Sequence, residues 1–211
     1  MNKKVILIFL ISVLSLGNCF AIIKGSRFKI TESEQEFDVL YYLTEDMKIL
    51  ENKKNEDLNV NQTFSINKNK LNAEVRYSLF TDIGEDDSDL QMQFAMLVFM
   101  CINNIAGYEV SGNEFSSFSD EAVKNEFNGD FGCTAFLKKP DSNFSKGYQY
   151  MMVEFFCKKK QGVVMRSFLF NDLAFIGIYE NGQYSLDNIL AENYHTFKFM
   201  EKDDKGNFVH N

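Results

Sequence analysis

The chain has 211 residues, a length that suits one domain with a sizeable core. It is 45% hydrophobic and 25% charged, the balance of a globular protein rather than a disordered one. A formal net charge of −8 sets it against phosphate backbones and anionic lipid surfaces, so no nucleic acid is expected as a partner.

Lys3 and Lys4 give a positive start, and Val5 to Leu16 is an apolar run relieved only by Ser12 and Ser15. Small residues follow, so residues 1–21 read as a secretory signal peptide, with a run too short for an anchor. Two processing routes stay open. Cys19-Phe20-Ala21 places small residues at −3 and −1 for cleavage before Ile22. Leu16-Gly17-Asn18-Cys19 resembles the bacterial lipobox, which implies a lipid on Cys19, although Asn18 stands where that motif has Gly, Ala or Ser. The expectation is export to the bacterial periplasm or cell surface. A lipid anchor is present only if Cys19 is acylated, and no transmembrane helix is left after signal removal.

Residues 22–36 read as a polar lead-in or linker, and residues 37–200 as a single α+β domain. Phe37 to Leu43 is rich in β-branched and aromatic residues and reads as a strand, with Met47 to Leu50 expected to pair back onto it. Phe64 and Ile66 alternate with polar residues before an Asn67-to-Lys70 turn. Leu71 to Phe80 follows as a stronger strand, with Ala73, Val75, Tyr77 and Leu79 on one face.

Ser88 to Gly107 is the stretch the domain is built around. Ser88 reads as an N-cap preceded by acidic residues, and Gly107 as the stop. Leu90, Phe94, Leu97, Val98, Cys101 and Ile105 fall on one helical face. Met92, Met96, Phe99 and Met100 fall on the other, with little polar relief. A helix apolar on nearly all sides is expected to be covered on more than one side. Left uncovered, the methionine face becomes a candidate interaction surface. The amide-free core from Phe94 to Ile102 rises only about 14 Å, against roughly 30 Å of hydrocarbon, so a membrane span is set aside.

Beyond Gly107, Ser117 or Ser119 is expected to cap a short helix, Asp120 to Phe127, closed by Asn128-Gly129. A meander follows: strands at Phe131 to Leu137, Tyr148 to Cys157 and Val163 to Phe170. A turn centred on Lys160 sets Glu154 opposite Arg166, Phe155 opposite Met165 and Met152 opposite Phe168. Apolar residues on both faces of the Tyr148 hairpin call for cover on both sides. Ser185 is expected to cap a helix from Leu186 to Tyr194. Phe197 and Phe199 would add an edge strand, and residues 201–211 read as a flexible tail. The fold class is therefore α+β, a mostly antiparallel sheet with helices on both faces and one long central helix. In element order alone, strands, long helix, then meander, this is similar to the α/β/α sandwich of the PsbP and MOG1 group.

Motifs for chemistry are scarce. The histidines are His195 and His210, and neither sits in a Gly-x-Ser-x-Gly elbow or a His-Glu-x-x-His zinc motif. The acidic run Asp82, Glu85, Asp86, Asp87, Asp89 lacks the ligand alternation of a calcium loop and reads as charge at a helix start. A mature chain retains Cys101, Cys133 and Cys157, an odd set read as buried thiols, with Cys133 to Cys157 as the alternative bridge. No cofactor, metal or catalytic residue is assigned. The leading expectation is an exported, non-catalytic binding or interaction module of the envelope. The alternatives are a secreted enzyme or small-ligand carrier built from scattered acids, Tyr and His195, and an accessory subunit of an envelope assembly whose contact is the methionine face.

Overall fold

The computed structural model describes residues 24–30, 37–43, 46–50, 58, 60–80, 83, 89–194, 196–202 and 208–209. The signal region with Cys19, both histidines, Ser88 and the acids at 82 and 85–87 lie outside the described residues.

Two antiparallel sheets dominate. In the smaller, β2 (Phe37–Leu43) lies between β1 (Lys24–Ile30) and β10 (Phe197–Phe199). The strand β1 runs through what reads in sequence as a polar lead-in. The larger sheet has seven strands in the order β3-β4-β5-β9-β8-β7-β6. These are β3 (Met47–Leu50), β4 (Gln62–Lys68), β5 (Leu71–Phe80), β6 (Phe115–Ser117), β7 (Phe131–Lys138), β8 (Tyr150–Lys158) and β9 (Gly162–Phe170). Residues of the tail pair as a two-stranded ribbon, β11 (Glu201–Lys202) with β12 (Phe208–Val209).

Local chemistry accounts for most of the large sheet. The β4–β5 hairpin closes on Asn69 and Lys70, both left-handed at φ 53° and 65°, as a tight two-residue hairpin turn requires. The β8–β9 hairpin turns through Lys160 at φ 62° and takes the expected register, with Glu154 opposite Arg166, Phe155 opposite Met165 and Met152 opposite Phe168. The strand β3 departs from expectation by pairing with β4 rather than β2. Both edges of β2 are taken by β1 and β10, whereas pairing on β4 sets Met47 beside Ile66 in the same buried cluster.

The long helix α1 spans Leu90–Ala106 and the shorter α2 spans Asp120–Phe127. The start of α1 differs from expectation: Asp89 occupies the N-cap position and makes no side-chain capping bond. Its end is anchored well. Gly107 is left-handed, and an added Cβ there would fall 2.1 Å from the Asp141 carbonyl, so only glycine fits. Asp141 N–H donates to Ala106 O at 2.7 Å and Ser142 Oγ to Ile105 O at 2.7 Å, satisfying carbonyls the helix leaves open. Helix α2 starts as read, with Ser119 Oγ accepting from Ala122 N–H, and ends at a left-handed Asn128. The last helix, α3 (Ile189–Tyr194), begins later than expected, because Asn188 rather than Ser185 supplies the cap: its Oδ1 accepts from Ala191 N–H at 2.9 Å.

Strand alternation divides the core in two. On one side of the large sheet, Phe64, Val75, Phe156 and Phe168 pack with Val123 and Phe127 of α2, Leu190 and Tyr194 of α3, and Phe197 and Phe199 of β10. On the other, Met151, Val153, Phe155, Val163 and Met165 pack with Leu90, Phe94, Val98, Cys101, Ile102 and Ile105 of α1. Each residue from Met151 to Cys157 and from Gly162 to Phe170 is buried, the expected consequence of strands apolar on both faces.

Candidate functional site

The most polar spot in the core is a ladder across four strands. Thr134, Glu154, Arg166 and Tyr77 stand in register on β7, β8, β9 and β5, on the side covered by α2, α3 and β10. Arg166 Nε donates to Glu154 Oε2 at 2.7 Å, and its Nη2 lies 2.7 Å from the same oxygen. Its Nη1 donates to Tyr194 O at 2.7 Å, satisfying a carbonyl at the open end of α3 with a cation, where the helix dipole favours one. The guanidinium carbon lies 5.0–5.7 Å from the ring centres of Phe127, Phe156, Phe168 and Tyr194, an aromatic cage that suits a planar cation.

Burial pushes the Glu154 carboxyl above its ordinary range, with Arg166 pulling it back. For Arg166 burial works most strongly against the charge, yet Glu154, Tyr77 and Tyr194 together outweigh it and hold the guanidinium above its ordinary range. Both side chains are 0% exposed, and Tyr77 and Tyr194 beside them are buried as well. Glu, Tyr and Arg thus converge as an enzyme site would require, but sealed from any substrate. This ladder is an anchor that ties α3 to the sheet.

Of the thiols, Cys101 and Cys157 are buried as expected, whereas Cys133 is only half-buried. Cys133 faces Phe155 and Cys157 faces Phe131, a diagonal placement on adjacent strands, and Cys101, Cys133 and Cys157 are all free. Burial pushes each of the three up to about 12, so they stay protonated and unreactive near neutral pH. Among the described residues, no group of three or more His, Cys, Asp or Glu is placed to hold a metal ion.

Two surface depressions have small-ligand volumes. One, of about 420 Å³, is lined by Asp120, Glu121, Lys124, Asp130 and Lys159, whose charges are mixed; Asp130 accepts from the Lys159 backbone. The other, of about 390 Å³, is lined by Tyr150, Asn171, Asp172 and Tyr179. There Asn171 binds the backbone at Gly147 and Gln149, and Asp172 caps the following turn. In the second, these polar atoms hold loops rather than converge on a shared point, as a ligand site needs, and in the first Asp130 is engaged by the Lys159 backbone.

The outer face of α1 is different in kind. Met92 is 60% exposed, Met96 60%, Phe99 52% and Met100 66%. The expectation that this side of the helix is covered does not hold, because α1 covers one side of the large sheet and, among the described residues, no element packs behind it. Half of the eight large exposed hydrophobics among the described residues therefore stand on one helix. Leu97, expected in the core face, is only partly buried, and Ile102 takes the fully buried position beside Cys101. Ala95 and Gln91 are exposed too and complete the stripe, a spacing visible in the sequence but not singled out there. No charged residue occurs between Leu90 and Tyr108. Among the described residues, no helix is long and apolar enough to cross a membrane.

No family model matches the chain, and no curated protein or solved structure does either.

Proposed function

We propose that this chain is an exported, non-catalytic interaction module of the bacterial cell envelope, an accessory subunit that docks through the outer face of α1. The observation that carries the reading is the contiguous, uncharged stripe of Met92, Met96, Phe99 and Met100, each more than half exposed. Keeping such a patch in water costs solubility, and contiguous apolar surface on a folded domain usually marks a contact. Methionine suits the task, because its unbranched thioether adapts to an irregular partner. The N-terminal signal supports export, with the mature chain beginning at Ile22 or at an acylated Cys19. The cover that α1 gives one side of the sheet, and that α2 and α3 give the other, supports an α/β/α sandwich similar in element order to the PsbP and MOG1 group.

The test is native electrophoresis of gently solubilised envelopes from cells producing the parent or the Met96→Glu/Met100→Glu variant. The parent is expected in a species larger than the single mature chain, and the variant as the free, folded chain. Parent and variant both migrating as the single chain would overturn the reading.

A further inference from the structure

We infer that the outer face of α1 closes on a second copy of this chain, forming a two-fold symmetric dimer with the two helices antiparallel. This rests on the reading that α1 is the docking face and names its occupant.

Charge supplies the first argument. A two-fold contact sets each patch against itself, so any charge near the axis meets its own like charge. On a chain of net charge −8, most surface patches would oppose carboxylates. The stretch from Leu90 to Tyr108 holds none, and it is the stretch whose apolar side chains stand out in solvent.

Shape supplies the second. Met92, Met96 and Met100 form a ridge along the i±4 row, and Ala95 beside Phe99 leaves a dip one turn before a large ring. With the two-fold axis at Met96, that residue meets its own counterpart and Met92 meets Met100. Phe99 then lies over Ala95 of the second copy. The ridge is self-complementary in this one antiparallel register.

Area sets the strength. Side chains of roughly 150–250 Å² each, exposed by half or more, supply on the order of 400–500 Å² of apolar surface per copy. With the flanking Gln91, Ala95 and Asn104 the two faces together reach about 1,000 Å², the lower bound for a specific contact. The expected dimer is therefore reversible, with a dissociation constant on the order of micromolar.

The experiment is sedimentation equilibrium of the purified exported chain from about 1 to about 100 μM. The parent is expected to pass from single to double mass across that range. Met96→Glu sets two carboxylates at the axis and is expected to weaken association by about tenfold or more, with thermal unfolding unchanged. Mixing Met96→Glu with Met96→Lys is expected to restore association as a mixed pair, because position 96 faces position 96. A parent that stays at single mass throughout overturns the inference, and so does a Met96→Glu protein that associates as the parent does. If the parent is a single chain in isolation yet its envelope complex still depends on Met96 and Met100, the docking face stands and its occupant is a different protein. If neither association appears, both readings fall.

Discussion

The two sides of the seven-stranded sheet are closed in opposite ways. Beneath α2, α3 and β10 the core is aromatic and sealed, with Phe127 and Phe156 stacked at 4.1 Å and a buried Glu154–Arg166 pair at its centre. Beneath α1 the core is aliphatic and sulfur-rich, and the helix that covers it turns an apolar back to solvent. The side with charges and tyrosines is the one that resembles a catalytic site on paper, yet nothing reaches it. The α1 side has a half-buried cluster of its own, Arg76 paired with Glu74 over the Phe144 and Tyr148 rings, and it also holds the open surface. Burial, not residue type, separates anchor from site.

The sharpest way to break this contrast is at the ion pair. Arg166→Met leaves Glu154 buried and unpaired, and should cost about 3–5 kcal/mol in denaturant unfolding. Adding Glu154→Leu should recover most of that loss, because a matched apolar pair removes the stranded charge. A single variant as stable as the parent would mean that water reaches the ladder, and the substrate-site reading would return.

Next in size is the inner face of α1. Ile102→Ala should cost about 2–5 kcal/mol through lost contacts and a residual cavity. Leu97→Ala should cost less, since part of that side chain already meets solvent. Equal losses would show that α1 is rotated relative to this packing.

A third effect appears only in alkali. The folded thiols titrate near 12, above the unfolded value, so the folded chain holds protons that the unfolded one has shed. Their contribution to stability is whole below the unfolded thiol range and lost as pH rises toward 12. Stability should therefore fall steadily above about pH 9, and a thiol reagent at pH 8 should label the buried Cys101 and Cys157 only after denaturation. Rapid labelling of the native chain would place one of them on an accessible surface.

The smallest effect is the most telling for function. Met96→Ala in the dilute protein should change stability by no more than about 0.5 kcal/mol, because the side chain leaves little behind. A loss of the size seen for Ile102→Ala would mean that the methionine face is core.

Much of this was legible in one dimension because it is local. Asn128 and Gly107 end their helices through conformations that few residues adopt cheaply, and Ser119 marks the start of α2 by its hydroxyl. A turn centred on Lys160 dictates the whole β8–β9 register, and with it the meeting of Glu154 and Arg166. Period-two alternation likewise places Ala73, Val75 and Tyr77 on one buried face.

What the chain could not declare by itself depends on partners distant in sequence. The pairing of β3 with β4 follows from β2 having both edges occupied, one of them by a strand more than 150 residues away. The cage around Arg166 draws Phe127, Phe156, Phe168 and Tyr194 from four separate elements, so no spacing announces it. The methionine face shows the same division. Sequence determines that α1 is apolar on both sides, since that is a property of residue order. Whether its second side is core or surface is decided only by how many layers the tertiary structure stacks behind it, and here, among the described residues, the layers end at α1.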